Sequence, residues 1–240
     1  MNLQQPPGIP ASSRDPLSPG PGSGRGFSMI CGVDEAGKGA VLGPLVVAAV
    51  CCRDDAECRA LGARDSKALS PSRRTVLSRE ITARFPVAVI AYTPGEIDSA
   101  RETMTLNDFM AMAHAEVISR LGPDLAYVDA CDVDARRYGG SVSAHLRSPC
   151  RIVSEHHADQ RYAVVGAASI VAKVTRDEAI AALASVHGEI GSGYPSDPYT
   201  VAHLESYLKA HSHPPPYARH SWATVRILQD RIRQRTLSEY

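Results

Sequence analysis

Asp34 and Glu35 are adjacent acids that follow directly on an apolar run, Met29-Ile30-Cys31-Gly32-Val33. Two carboxylates beside a buried strand cost free energy unless something pairs with them, and a divalent cation is one such partner. Most Asp-Glu pairs are solvated turns, so this pair needs company to carry meaning. Asp129 ends a second apolar run, Leu125-Ala126-Tyr127-Val128. Asp159 lies in a polar loop just before a long run of small and apolar residues, where a helix N-terminus favours a carboxylate. Four carboxylates at strand ends and a helix start form a candidate site for two hard cations, Mg²⁺ or Mn²⁺, which prefer oxygen ligands. Ions about 3.5–4 Å apart activate water and stabilise the leaving oxygen in phosphodiester hydrolysis. Spacing along the chain does not prove that the four converge.

Two rival chemistries start from nearby residues. Gly32-Val33-Asp34-Glu35-Ala36-Gly37-Lys38-Gly39 fits a phosphate-binding G-x-x-x-x-G-K loop as far as its lysine. That loop needs Ser or Thr next, to hold Mg²⁺, and a helix straight after. Here Gly39 follows, then the strand-like Val41-Leu42-Gly43-Pro44-Leu45-Val46-Val47, and two carboxylates inside a phosphate cradle would repel the ligand. A nucleotide hydrolase is not expected. The pairs His156-His157 and His211-Ser212-His213 have no cysteine at ligand spacing, so no zinc site is expected either.

The elements that must position these residues follow from periodicity and punctuation. Met29–Val33 is a strand, Gly37-Lys38-Gly39 a turn, and Leu42–Cys51 a second strand, together a hairpin. Ser70 is a helix N-cap with Pro71 at the first helical position, and that helix runs to about Arg84. Val87–Tyr92, Leu125–Asp129 and Arg151–Ser154 read as strands, and Thr105–Leu121 as an amphipathic helix. A long helix spans Tyr162 to about His187, and helices near 198–210 and 221–236 flank Pro214-Pro215-Pro216. Early strands followed by alternating helices and strands make an α/β fold with a mixed sheet and a helical C-terminal appendage.

The motifs resemble those of type 2 ribonucleases H, the ribonuclease HII family. The likeness runs through Asp34-Glu35-Ala36-Gly37-Lys38-Gly39, Leu42-Gly43-Pro44-Leu45-Val46, Asp65-Ser66-Lys67, Tyr127-Val128-Asp129 and Glu155-His156-His157-Ala158-Asp159. It continues through Ala167 to Asp177, Gly191-Ser192-Gly193-Tyr194-Pro195-Ser196-Asp197-Pro198 and Arg219-His220-Ser221-Trp222. The last two blocks are similar to the archaeal and eukaryotic branch. The resemblance implies a ribonuclease H-like mixed sheet flanked by helices, with a C-terminal helical subdomain. It also implies an endoribonuclease that hydrolyses the RNA strand of RNA–DNA hybrids. Such an enzyme nicks 5′ to ribonucleotides embedded in duplex DNA, leaving 3′-hydroxyl and 5′-phosphate, in ribonucleotide removal and primer processing.

Carried over residue by residue, Asp34, Glu35, Asp129 and Asp159 fall on the metal-binding acids. Asp177, one helical turn after Lys173, is expected to form a structural i,i+4 pair instead. Gly37, Lys38 and Gly39 fall on the turn whose backbone reads the ribose 2′-hydroxyl, with Lys38 in place of the usual arginine. That departure keeps the charge and loses the planar fork that grips phosphate bidentately. Tyr194 falls on the tyrosine that packs on the sugar of the neighbouring deoxynucleotide. Ser66 and Lys67 are candidate phosphate contacts, Ser169 and Lys173 candidate groove residues, and Arg73, Arg74 and Arg79 a candidate track for the DNA strand. Gln234, Leu237 and Tyr240 are similar to the Q-x-x-L-x-x-aromatic motif that docks replication enzymes on sliding clamps, although that motif usually ends in two aromatics.

Composition sets the frame. Formal net charge is zero, which argues against a purely electrostatic nucleic-acid binder but leaves room for a basic groove offset by catalytic acids. No apolar run approaches the roughly 18–20 residues that span a bilayer, and no secretory signal is apparent. The six cysteines show no CxxC spacing and are expected to be reduced, partly buried thiols of a cytoplasmic protein; separately, the chain is expected to be a monomer. Residues 1–27, rich in Pro, Gly and Ser, are expected to be disordered. Residues 28–195 would be the catalytic domain, and 196–240 the helical subdomain with the clamp-binding tail.

Overall fold

The computed structural model describes residues 29–63 and 69–238, the side chains of 235–238 excepted. The N-terminal tail, Ser66, Lys67, the Leu237 side chain and Tyr240 lie outside the described residues.

Among the described residues, five strands form one sheet: β1 (Ile30–Ala36), β2 (Leu45–Cys52), β3 (Val87–Tyr92), β4 (Leu125–Asp129) and β5 (Arg151–Glu155), in the order β3-β2-β1-β4-β5. β1 pairs antiparallel with β2 and parallel with β4, so the sheet is mixed. The helices are α1 (Asp55–Ala60), α2 (Pro71–Arg84), α3 (Pro94–Ala100), α4 (Leu106–Leu121) and α5 (Ala135–Ala144). They continue with α6 (Ala158–Arg161), α7 (Ala163–His187), α8 (Pro198–His211) and α9 (Ala223–Ser238).

The sheet is covered on both faces. Cys31, Val33, Leu45, Val47, Phe109, Val117, Val128 and Tyr138 form one core cluster, beneath α4 and α5. Val46, Ala48, Val50, Leu77, Ile81, Val164 and Ile170 form another, beneath α2 and α7. A strand buried on both faces has no polar side to show, which is why β2 is apolar throughout. Val41, Leu42, Ile190, Leu204, Leu208, Tyr217, Val225 and Leu228 make a third cluster that fixes α8 and α9 to the end of the sheet.

Local signals set several boundaries. The Ser70 hydroxyl accepts from the Arg73 amide at 3.3 Å, and Pro71 occupies the first turn, so α2 starts where its missing N–H costs nothing. Thr105 caps α4, which ends at the left-handed Gly122. The second strand begins at Leu45 rather than Leu42. Gly43 takes φ 77°, and the Val41 and Leu42 amides instead donate to the Gly193 carbonyl at 2.8 and 3.0 Å. Long-range pairing of this loop displaces the start of the ladder.

The four helices absent from the sequence reading are short, 6, 7, 10 and 4 residues for α1, α3, α5 and α6. Asp159 accordingly sits in the single turn of α6, not in an open loop. All six cysteines are free, including Cys31 and Cys51, which face each other across β1 and β2.

Candidate active site

Strand alternation sorts the acids. Gly32 and Asp34 point toward α7, while Cys31, Val33 and Glu35 share the opposite face, toward α4 and α5. Gly32 lets α7 lie directly on β1, since a Cβ there would stand 2.2 Å from the Val164 carbonyl carbon. That contact brings Ser169 of α7 to the Asp34 carboxyl, where the two side chains hydrogen-bond. Val33 pairs with Val128 across the parallel β1–β4 ladder, so Asp34 and Asp129 follow side by side where β4 ends. β1 itself continues past Val33 to Ala36, held by its antiparallel pairing with β2, so Asp34 and Glu35 lie inside the strand rather than after it.

Asp129 accepts from the Ala158 amide at 2.9 Å, tying β4 to the start of α6. His157, left-handed at φ 57°, turns the chain into α6, and Asp159 comes to rest there with 2% exposure. The structure therefore brings together Asp34, Glu35, Asp129 and Asp159, acids separated by as many as 125 positions in the chain.

The electrostatics of the cluster are unfavourable without a cation. Burial, then the charges of Glu35 and Asp129, push the Asp34 carboxyl well above its ordinary range. Asp129 is raised as well, by burial and by the charges of Glu35 and Asp159, against the lowering bond from Ala158. Among the described residues, neither Asp34 nor Asp129 has a lysine or arginine at ion-pair distance. Two crowded aspartates with no lysine or arginine at ion-pair distance among the described residues fit hard divalent ions.

Glu35 is held differently. Burial raises its carboxyl, but His114, Cys131 and Lys38 outweigh burial and leave it below its ordinary value. The Cys131 thiol donates to Oε1 at 3.1 Å, and His114 Nε2 stands 3.3 Å from Oε2, at ion-pair distance but outside hydrogen-bond geometry. His114 is fully buried, and its Nδ1 meets the Tyr138 hydroxyl at 3.0 Å.

Beside the acids lies the Gly37–Gly39 turn. Gly37 has φ 87°, and a Cβ there would stand 2.4 Å from Arg176 Nε. Gly39 has nothing within 4 Å of the same position, so the space over it is open. The Lys38 ammonium donates to the Cys131 carbonyl at 2.5 Å. Two buried arginines support the turn from behind. Arg219 donates to the Lys38 carbonyl at 3.0 Å, and burial lowers its guanidinium to about 10. Arg176 donates to the Ser192 carbonyl at 3.0 Å and lies 4.6 Å from the Tyr194 ring centre, which fixes that ring next to the turn.

Other residues singled out in the sequence are placed as follows. Lys173 pairs with Asp177 at 3.3 Å on exposed α7 surface, the expected i,i+4 contact. Arg73 and Arg79 are exposed on α2, and Arg74 donates to the Leu69 carbonyl at 2.7 Å. The loop Lys38-Gly39, Arg101, Leu106, Trp222 and Arg226 line an open cavity of about 470 Å³. Sequence reasoning missed His114, Cys131, Tyr138 and the supporting role of Arg176. Nothing in the spacing of His114 or Tyr138 marks them, because their partners lie on other elements.

The model of the family "Ribonuclease HII" matches residues 31–225. The chain belongs to the ribonuclease HII family. A ribonuclease HII from Methanoregula boonei is 55% identical over 212 residues, covering 88% of this chain and all of that protein. The crystal structure of the ribonuclease H2 from Pyrococcus horikoshii OT3 superposes with TM-score 0.80 at 38% identity, over 86% of this chain and 99% of that one. The PCNA:RNase HII complex from Archaeoglobus fulgidus gives TM-score 0.76 at 42% identity, over 81% and 95%. The fold is that of the ribonucleases H, and family membership makes this chain a metal-dependent ribonuclease acting on RNA in RNA–DNA hybrids. No helix among the described residues is long and apolar enough to cross a membrane.

Proposed function

We propose that this ribonuclease cuts on the 5′ side of ribonucleotides, within hybrids and singly embedded in duplex DNA, and leaves 3′-hydroxyl and 5′-phosphate ends. The observation that carries the reading is the convergence of Asp34, Asp129 and Asp159 beside Glu35, with the uncovered Gly39 turn next to them. Two ions, Mg²⁺ or Mn²⁺, held by Asp34, Glu35, Asp129 and Asp159, would activate the attacking water and neutralise charge on the leaving oxygen. Ser169 orients the Asp34 carboxyl, and the Ala158 amide orients that of Asp129.

Selection of RNA over DNA falls to the Gly37-Lys38-Gly39 backbone. Without a Cβ at Gly39 it can approach a 2′-hydroxyl closely, the group that distinguishes the two sugars. Tyr194, braced by Arg176, offers its ring to the adjoining sugar. Ser66 and Lys67 would contact phosphate, Ser169 and Lys173 the groove, and Arg73, Arg74 and Arg79 the DNA strand. Residues 28–195 act as the catalytic domain, and 196–240 as a helical subdomain carrying a clamp-docking tail. Gln234, exposed on α9, Leu237 and Tyr240 form that tail, a reading supported by the Archaeoglobus relative being solved as a PCNA complex. The enzyme works as a monomer in the cytoplasm.

The test is a labelled duplex with one ribonucleotide in otherwise DNA strands, incubated with and without Mg²⁺ or Mn²⁺, beside Asp34→Asn. Metal-dependent nicking 5′ to the ribonucleotide, lost in the variant, is the expected outcome. Folded protein that binds the duplex and cuts nothing with either ion would overturn the reading in favour of a binding module.

A further inference from the structure

Three different ligand types meet on the α4/α5 side of Glu35. One carboxylate oxygen of Glu35, the His114 imidazole and the Cys131 thiol each place a ligand atom within 4.8 Å of the other two. The separations along Glu35 are 3.1 Å to Cys131 Sγ and 3.3 Å to His114 Nε2. Ligands around a tetrahedral Zn²⁺, at about 2.0–2.3 Å from the ion, stand roughly 3.3–3.6 Å from one another. His114 is fully buried, and its Nε2 and Glu35 Oε2 face each other without a hydrogen bond among the described residues. The Tyr138 hydroxyl on Nδ1 fixes the ring so that Nε2 points at Glu35, the kind of outer contact that orients metal-binding histidines.

The donor set discriminates between ions. Mg²⁺ and Mn²⁺ favour all-oxygen sites, which the aspartates on the other face of the sheet supply. A thiol and an imidazole suit borderline-soft ions. We propose that Glu35, His114 and Cys131 form a site for a borderline-soft divalent cation, Zn²⁺ foremost, and that its occupation inhibits the enzyme by locking Glu35 against His114 and Cys131, so that it cannot serve the ions held by the aspartates. Binding displaces the proton that Cys131 now shares with Glu35 Oε1 to solvent and leaves two anions and one imidazole around the ion. Lys38, held by the Cys131 carbonyl, is the cation that this pair of anions must outweigh. The site is invisible to ligand spacing in the sequence, since its members come from β1, α4 and the segment after β4.

The inhibitory half rests on the proposed ribonuclease reaction; the binding half does not. Co²⁺ added to the full chain reports the site by thiolate-to-metal charge-transfer absorption. That band is expected in the parent, absent in Cys131→Ala and weakened in His114→Gln. Zn²⁺ titrated against nicking in excess Mg²⁺ should half-inhibit Cys131→Ala only at a concentration at least about tenfold above the parent's, each rate taken relative to that protein's own zinc-free rate. Cys131 is less buried than His114, so its variant keeps the test open if His114→Gln fails to fold. No thiolate band in the parent, or one that persists in Cys131→Ala, overturns the site. Equal zinc sensitivity of parent and Cys131→Ala overturns the inhibition. A zinc-free parent that cuts nothing with Mg²⁺ or Mn²⁺ instead counts against the ribonuclease reaction and leaves the cobalt result to judge the site.

Discussion

At Asp34, burial and two neighbouring carboxylates act in the same direction, and the folded chain holds a proton that the unfolded chain gives up earlier. The contribution of Asp34 to the stability of the metal-free protein is therefore fully present below the ordinary aspartate range. It is lost as pH rises through the raised value of Asp34, and then levels. Asp34→Asn removes that repulsion. Without metal near neutral pH, the variant should melt a few degrees above the parent, as expected for about 1 kcal/mol in a chain of this size. Mn²⁺ should raise the parent's melting temperature more than the variant's. A metal-free variant that melts below the parent would contradict this account. Nicking by the same variant should fall by roughly a thousandfold or more, since metal ions supply several kcal/mol of transition-state stabilisation.

The elements around the site depend on glycines for opposite reasons, and the difference is testable. Gly32 admits α7 onto β1, and the backbone of Val164 has no room for a methyl group. Gly32→Ala should cost about 1–3 kcal/mol or more, read as a lower urea midpoint, because α7 must shift. Gly39 faces open space, so Gly39→Ala should leave stability within about 0.5 kcal/mol. Its nicking at a single ribonucleotide should nevertheless drop, because the added methyl group occupies the approach to the sugar. A stable Gly39→Ala enzyme with full activity removes 2′-hydroxyl reading from that position.

For the molecule as a whole, the third core cluster fixes α8 and α9 against the Val41-Leu42 loop and so joins the C-terminal helices to the turn beside the acids. The tail beyond Arg233 contributes no described side chain to that cluster. Deleting Gln234–Tyr240 should abolish binding to a sliding clamp, measured by surface plasmon resonance, while cleavage of short duplexes stays within about twofold. Unchanged clamp affinity would sink the docking motif.

The elements whose signals are local were legible in the chain. Pro71 and Ser70 start α2, continuous apolar runs mark β3 and β4, and the boundaries of those elements are set by caps and burial that neighbours in sequence supply. The short helices were less so: the capping boxes Asp54/Glu57 and Thr93/Glu96 mark α1 and α3, but too few residues follow for an apolar period to emerge. The acids were recognisable by their place after apolar runs and by family motif. Their approach to one another came only from the parallel pairing of β1 with β4 and the seat of α7 on Gly32. His114, Tyr138 and Cys131 carry no local signal at all. A side chain's partner across a sheet is set by strand alternation and helix packing, contacts between residues far apart in sequence, and only the tertiary structure decides them.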